Sequence, residues 1–235
     1  MADVAHRGAQ LASIDYQANR PWRMLLPPVY RYLPGEFVDR FFDKGELRLS
    51  SFAQFAKHTD EARGDANEGR SMVSSQGGGR QFTAFVSTGH ESYVLCGSFI
   101  LSKFIMERFS GCDAAIEITN VPDFALAVAR QLAGFTNGVS GYCIYAANRV
   151  LVRHVDADPF PLPADPKEGI PMDQLFAATA AASQHEDMFL KSSNLSYQAE
   201  YRLIWNMDKP LPDNIIINAS DARQFCRRVT LEELT

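Results

Sequence analysis

The sequence predicts one α+β domain in which short strands alternate with helices. Apolar and polar residues alternate with period two over segments such as 46–51 and 200–205, which is typical of strands. Apolar residues spaced i to i+4 predict a helix over 36–44. The sequence contains neither an internal repeat nor a domain linker after the first residues. We therefore expect an N-terminal arm over residues 1–26 and a single α+β domain over residues 27–235.

Composition and charge narrow the class of protein. The chain has 235 residues, 46% of them hydrophobic, which is enough to bury one sizeable core. Its formal net charge of −5 argues against strong general attraction to nucleic acid or to an anionic membrane. The four cysteines form no Cys-x-x-Cys pair, and the sequence has neither a signal-like start nor a membrane-length apolar run. We expect a cytoplasmic protein with reduced thiols and no membrane segment.

The first half of the chain contains most of the predicted strands. We expect strands at 29–33, 46–51, 81–87, 91–99 and 113–119, and helices at 36–44, 103–109 and 122–132. Gly45 is placed to end the first helix as a left-handed cap. The strands 81–87 and 91–99 are expected to pair as a hairpin. Residues 56–80 are charged and end in three glycines, which favours a long loop serving either as a binding lid or as a surface insertion.

The second half is predicted to contain a hairpin, a loop, two helices and two further strands. A hairpin is expected from 141–146 and 149–155, a proline-rich loop at 159–171, and a long helix over 172–190. A late strand follows, running from Gln198 to Trp205. A strand at 214–218 and a short helix at 221–228 complete the chain.

The late strand carries the strongest candidate for chemistry. Its alternation predicts an apolar face and a second, partly polar face, made respectively of Tyr201, Leu203 and Trp205, and of Glu200, Arg202 and Ile204. Residues i and i+2 share a face of an extended chain, so the Gln198 amide would lie beside the Glu200 carboxylate. Two structural readings remain open: an ordinary exposed strand, and a same-face ion pair between Glu200 and Arg202.

Three polar segments at predicted strand ends have a recognisable order along the chain. They are Tyr30-Arg31-Tyr32, Ser50-Ser51 and Gln198-Ala199-Glu200. Together with Gly45-Glu-Leu-Arg-Leu-Ser-Ser51 and a late Lys191, they resemble a family of bacterial proteins of unknown function. That family has a Tyr-x-Tyr start, a Gly-x-Leu-x-x-Ser-Ser strand and a late lysine before Glu-x-Glu-Tyr/Trp-Arg. The present chain departs from it at His58-Thr-Asp-Glu61, which replaces an Asn-Asp-Pro-like loop.

The same layout is similar to ADP-ribosyltransferases of the arginine-serine-glutamate type. The resemblance implies split, mostly antiparallel sheets with flanking helices around NAD as substrate. It implies that Glu200 stabilises the positive charge that develops on the ribose when nicotinamide leaves, and that Gln198 orients the acceptor.

The resemblance also assigns cofactor-binding residues. Arg31 would contact the pyrophosphate or ribose, since a guanidinium forks onto phosphate oxygens. Ser50 and Ser51 would support Glu200 and the nicotinamide ribose, and Tyr30 or Tyr32 would stack on nicotinamide. Each has a structural alternative: a surface charge for Arg31, a strand end for the serines, and core packing for the tyrosines.

Several functions compete at this point. The first is an NAD-dependent mono-ADP-ribosyltransferase that acts on a protein or nucleic-acid acceptor, as a bacterial toxin or phage-defence effector with an antitoxin or inhibitor protein as partner. An NAD glycohydrolase would use the same site. The second class is a non-catalytic protein- or nucleotide-binding module. A metal-dependent nuclease is suggested only by the acidic residues Asp60, Glu61, Asp65 and Glu68, whose spacing matches no known metal loop, so no metal ligand is assigned.

Overall fold

The computed structural model describes most of the predicted domain. It covers residues 26–52, 54, 67, 69–77, 80–154, 171–174, 177, 179, 186–230 and 233. The predicted arm up to residue 25, most of the charged stretch 56–69 and all but the last residue of the proline-rich loop 159–171 lie outside these ranges. The described elements confirm an α+β fold with mostly antiparallel sheets.

The described helices and strands follow one another along the chain in mixed order. The strands are β1 Val29–Leu33, β2 Glu46–Ser51, β3 Arg70–Gly77, β4 Arg80–Ser87, β5 Ser92–Ser98, β6 Ala114–Ile118, β7 Phe135–Tyr142, β8 Ile144–Ala146, β9 Val150–His154, β10 Leu190–Ser192, β11 Glu200–Met207, β12 Asn214–Asn218 and β13 Cys226–Val229. The α-helices are α1 Gly35–Lys44, α2 Lys103–Glu107 and α3 Val121–Ala129. Short 3₁₀ helices span Glu186–Phe189, Ser193–Gln198 and Ser220–Phe225.

The main sheet has eight strands and forks at β5. One edge of β5 pairs along its length with β11, which in turn pairs with β7. The opposite edge is shared, because β2 pairs with residues 93–94 of β5 while β1 pairs with residue 98. β1 continues to β6 and β13, and β2 continues to β12. The gap between β1 and β2, along residues 95–97 of β5, is called the fork below.

Close backbone approach helps to explain where β1 joins β5. A Cβ built on Gly97 would lie 2.5 Å from Val29 Cγ1 and 3.1 Å from the carbonyl oxygen of Tyr30. A side chain at this position would therefore push the two strands apart. Gly97 lets β1 reach the end of β5, and this contact sets one arm of the fork.

The largest core lies on one face of the main sheet, beneath α1 and α3. Val38 and Phe41 of α1 and Phe124 of α3 pack there against apolar residues of β2, β5, β6 and β11. Gly45 ends α1 with a φ of 75°, as the sequence predicts, and its N–H bonds to the carbonyl oxygens of Arg40 and Phe41. Asn120 caps α3 by accepting a hydrogen bond from the backbone of Asp123.

Two predicted hairpins are wrong. β4 pairs with β3 in a separate three-stranded sheet, whereas β5 belongs to the main sheet, so the two strands across residues 88–90 are not partners. The end of the predicted loop 56–80 is the strand β3. Likewise β8 pairs in parallel with β10, and β9 pairs in parallel with β3, in place of the predicted hairpin across 147–148. For β4 the partner is still local, because β4 pairs antiparallel with the preceding strand and Gly77 lies opposite Arg80. For β8 and β9, pairing with strands distant in sequence overrides the short separation between them.

The predicted late helices are only partly correct. Residues 172–174 are helical, but the far end of the predicted helix 172–190 is the 3₁₀ helix Glu186–Phe189, and Leu190 already begins β10. The predicted helix 221–228 is a 3₁₀ helix that ends at Phe225 and continues as β13. Among the described residues, no helix has the length and apolarity that crossing a bilayer requires.

Candidate functional site

A cleft of about 360 Å³ opens at the fork, and we call it the fork cleft. Its wall is built from the ends of β1, β2, β5 and β11, from α1, and from the segment before β11. This volume lies within the range of roughly 300–1,000 Å³ that is usual for small-molecule sites. Six of the seven residues predicted from the sequence line it, namely Tyr30, Arg31, Tyr32, Ser50, Gln198 and Glu200.

Strand register explains why residues so distant in sequence meet there. Glu200 of β11 lies opposite Ser98 of β5, and Ser98 lies opposite Tyr30 of β1. Directly opposite residues project from the same face of a sheet. Glu200 and Tyr30 therefore share the face that is turned away from the main core.

Arg31 spans the fork. Its Nη2 donates a hydrogen bond of 2.8 Å to the carbonyl oxygen of Arg48, which joins β1 to β2. Its Nη1 is buried and has no hydrogen-bond partner among the described residues. Burial, with a smaller effect from the nearby Arg48, lowers the pKa of Arg31 to about 10, so the side chain remains a cation at neutral pH. The free Nη1 can donate to a ligand in the cleft.

The two predicted serines lie on opposite faces of β2. Ser50 lines the fork cleft and lies opposite Val94. Ser51 lies opposite Tyr93 of the main core, is 2% exposed and does not line the cleft. The expected support of Glu200 by these serines is not what the described residues show, because its carboxylate is bound by other side chains.

The Glu200 carboxylate is buried between two cations. Arg202 Nε donates to Oε1 at 2.6 Å, and Lys191 Nζ donates to Oε2. The Cys143 thiol also lies 3.5 Å from Oε1. Arg202 is fixed in turn by a 2.5 Å hydrogen bond from Nη1 to the carbonyl oxygen of Met188. The ion pair that the sequence left as an alternative is therefore present, and it lies in the wall of the cleft.

Charge compensation determines the ionisation of Glu200. Burial alone would raise the pKa of this carboxyl, but the charges and hydrogen bonds of Arg202 and Lys191 outweigh it and hold the pKa far below its usual range. Glu200 is therefore an anion at physiological pH. Such a carboxylate accepts hydrogen bonds and stabilises positive charge, and it is a weak general base.

Gln198 lines the cleft from an element other than the predicted strand. It ends the 3₁₀ helix Ser193–Gln198 and is not part of β11. Ala199 follows with φ 45° and ψ 50°, the only positive φ at a non-glycine residue in the described ranges. Gln198 is 2% exposed, and its Oε1 accepts a 2.6 Å hydrogen bond from Lys191. In this conformation the amide is bound to Lys191 and not presented at the surface.

The two predicted tyrosines differ in how firmly they are held. The Tyr32 hydroxyl donates to the carbonyl oxygen of Ile100 at 2.7 Å and accepts from the backbone N–H of Ser102 at 2.8 Å. Its ring stacks on Phe109, with centroids 6.2 Å apart. Tyr30 is half-buried, and burial followed by the nearby Glu117 raises the pKa of its hydroxyl. Tyr32 thus shapes the wall, while Tyr30 is the more accessible ring.

The fork cleft is cationic in an acidic protein. Five cationic side chains and two carboxylates line it: Arg31, Arg40, Arg48, Lys191 and Arg202, with Glu46 and Glu200. The formal charge of the wall is thus +3, against −5 for the whole chain. This contrast favours an anionic ligand. Among the described residues no group of three His, Cys, Asp or Glu could hold a metal ion, and the acidic residues Asp60 to Glu68 lie outside them.

Sequence reasoning assigned no role in the site to Lys191. This residue lies in β10, whose first residue, Leu190, is the last residue of the predicted helix 172–190, and it precedes Glu200 by nine residues. No periodicity links the two positions, because a 3₁₀ helix and a left-handed residue intervene. The lysine in the family-like motif was the one available signal.

No protein-family model matches the chain, and comparison with curated proteins and with solved structures gives no match either. The geometry and charge of the fork cleft are therefore the basis for the candidate function.

Proposed function

We propose that the protein binds NAD in the fork cleft and transfers its ADP-ribose to a protein or nucleic-acid acceptor. The observation that carries this proposal is that six residues from three distant segments, predicted together from the sequence, line one cleft with Glu200 in its wall. The four cysteines are free thiols, in agreement with a cytoplasmic protein. If the activity is toxic to the producing cell, an inhibitory partner protein is expected.

The proposed chemistry assigns Glu200 an electrostatic role. The bond between the nicotinamide nitrogen and the ribose C1′ breaks, and its electron pair leaves with nicotinamide. The ribose then carries positive charge until the acceptor's nucleophile bonds to C1′ and releases its proton to solvent. An ionised carboxylate that accepts a hydrogen bond from a ribose hydroxyl stabilises this state. Its low pKa supports stabilisation, not proton abstraction.

The cations of the cleft are proposed to bind the pyrophosphate of NAD. The pyrophosphate is anionic, and guanidinium groups bind phosphate oxygens through two parallel hydrogen bonds. The free, buried Nη1 of Arg31 is the donor with the clearest vacancy. Arg48 and Arg40 line the same cleft and add positive charge. Because Gln198 is an amide that cannot act as a base, an arginine acceptor is disfavoured.

A second function is favoured by one observation. Both Glu200 oxygens already bind cations of the protein, as in a purely structural ion cluster. A non-catalytic module that binds an anionic nucleotide in the fork cleft would have the same arrangement. NAD hydrolysis without transfer is a third outcome of the same chemistry, with water as the acceptor.

The test uses NAD labelled on the adenylate, purified protein and a cell lysate. Nicotinamide release and labelled macromolecules are measured together for the wild type, for Glu200→Gln and for Glu91→Gln. Glu91 is an exposed carboxylate at the far end of the β5–β11 pair and serves as the matched control. We expect release with label transfer in the wild type and the control, and at least about 100-fold less of both in Glu200→Gln.

The outcomes separate the functions. Release without labelled macromolecules identifies a glycohydrolase. NAD binding measured by calorimetry, without nicotinamide release under any lysate condition, identifies the binding module. Equal turnover by Glu200→Gln and the wild type contradicts the assignment of Glu200.

A further inference from the structure

Lys191 of β10 connects β8, Gln198 and Glu200, which are separate in the chain. Its strand β10 pairs in parallel with β8, where Lys191 lies opposite Tyr145. The Tyr145 hydroxyl accepts a 2.8 Å hydrogen bond from the backbone N–H of Glu200. Arg149 Nη1 also donates to the carbonyl oxygen of Leu190 at 3.1 Å. The lysine backbone is therefore anchored beside the start of β11.

The Lys191 ammonium has a partner on each side of a strained residue. It donates to Gln198 Oε1 and to Glu200 Oε2, while Ala199 between them holds a left-handed conformation. Such a conformation is unfavourable for a residue with a Cβ and persists when surrounding contacts enforce it. Ala199 donates its N–H to the carbonyl oxygen of Ser196 and accepts from the N–H of Phe99, both at 3.1 Å. These backbone bonds hold the turn in place, and the ammonium joins its two side chains.

We propose that Lys191 is a positioning residue that holds the Gln198 amide and the Glu200 carboxylate together across the Ala199 turn and so fixes the orientation in which Glu200 meets the ligand. Lys191 and Arg202 bind different oxygens of the Glu200 carboxylate. Arg202 lies two residues along the same strand and binds Oε1, whereas Lys191 comes from another strand and binds Oε2. Of these two cations, Lys191 is the one bonded to Gln198. The effect on catalysis rests on the proposed NAD chemistry, but the effect on the turn does not.

Removal of the Lys191 ammonium should disturb the orientation of the Glu200 carboxylate more than it weakens ligand binding. In Lys191→Met the Arg202 guanidinium still binds Glu200, and the remaining cations of the cleft still attract an anionic ligand. The turn, however, loses the group that links its two sides. We expect kcat for nicotinamide release to fall about 100-fold while KM changes less than about threefold, because a displacement of about 1 Å is enough to cost such a factor.

The experiment compares Lys191→Met, Lys191→Arg, Gln198→Leu and the exposed-lysine control Lys209→Met. Steady-state kinetics give kcat and KM, and amide hydrogen exchange gives protection of the segment 193–200. Gln198→Leu removes the amide that Lys191 binds and leaves the Lys191–Glu200 pair intact, so it remains informative if Lys191→Met does not fold. We expect faster exchange at 193–200 and lower kcat in Lys191→Met and Gln198→Leu, partial recovery in Lys191→Arg, and no change in the control.

Each outcome decides the proposal. Unchanged exchange at 193–200 in both Lys191→Met and Gln198→Leu overturns the proposal that Lys191 holds Gln198 and Glu200 together. Faster exchange with unchanged kcat shows that Lys191 stabilises the turn without positioning Glu200, and this also overturns the proposal. If the wild type releases no nicotinamide, the NAD function fails. The link that Lys191 makes between Gln198 and Glu200 is then judged by amide exchange alone: faster exchange at 193–200 in Lys191→Met and Gln198→Leu supports it, and unchanged exchange overturns it.

Discussion

The two faces of strand β11 are stabilised by different kinds of interaction. One face carries Tyr201, Leu203 and Trp205, which pack into the main core beneath α1 and α3. On the other, Glu200 and Arg202 are similarly buried, at 4% and 1% exposure, but they lie in the wall of the fork cleft. Nearly equal burial therefore accompanies very different chemistry.

The difference shows that burial alone does not determine which interactions stabilise a strand face. On the core face, removal of apolar surface from water is favourable without any specific partner. On the cleft face, burial of a carboxylate is unfavourable unless opposite charges and hydrogen bonds compensate for it, as Arg202 and Lys191 do for Glu200. The core face should therefore tolerate changes of pH, while the cleft face should respond to pH and to the loss of any one charge.

The largest effect on stability is expected on the core face. Trp205 is 2% exposed, and its Nε1 donates to the carbonyl oxygen of Ala125 at 3.0 Å. Trp205→Ala should lower the free energy of unfolding by about 3–5 kcal/mol, because it leaves a large cavity and removes the hydrogen bond from the indole to Ala125. Urea denaturation at about pH 7 and about pH 5 should give the same loss.

A surface aromatic residue provides the control for this change. Phe85 is 87% exposed in β4, so Phe85→Ala should change the free energy of unfolding by no more than about 0.5 kcal/mol. A loss below about 1 kcal/mol for Trp205→Ala would contradict the packing of the core face.

A somewhat smaller loss is expected when one charge on the cleft face is removed. Arg202→Met leaves Glu200 buried with Lys191 as its remaining cation and removes the donor to the Met188 carbonyl oxygen. We expect the free energy of unfolding to fall by about 3 kcal/mol, measured by urea denaturation. The double variant Arg202→Met/Glu200→Gln should recover part of this loss, because the carboxylate is then neutral. Strictly additive losses would show that the pair is not coupled.

The smallest expected effect is the pH dependence of the contribution that Glu200 makes to stability on the cleft face. The folded pKa of Glu200 lies below its ordinary value near 4.5, so its stabilisation is fully present above about that pH and is lost as pH falls toward the folded pKa. The difference in unfolding free energy between the wild type and Glu200→Gln should therefore shrink by about 2 kcal/mol from pH 5 to about pH 3. Glu91→Gln is the exposed control and should show no such trend. A constant difference for Glu200→Gln would mean that the carboxylate is not held ionised.

The sequence predicted local features more reliably than strand partners. The alternation of residues 200–205 correctly assigned both faces of β11, and Gly45 correctly ended α1. The predicted hairpins were wrong for two different reasons: β4 pairs with the strand before it instead of the strand after it, and β8 pairs with β10, which is distant in sequence. Local periodicity records which side of an element is buried, but it carries no information on which distant strand covers it.

The candidate site shows the same division. The sequence by itself selected the residue types and their order: an arginine between tyrosines, a serine at the end of β2, and a glutamate at the start of β11. Tertiary structure alone decided that β1 and β2 diverge from one edge of β5, that Ser51 turns inward and that Lys191 reaches Glu200. The physical reason is that charge compensation and strand divergence depend on distances between segments far apart in the chain, and these distances are fixed only when the core packs.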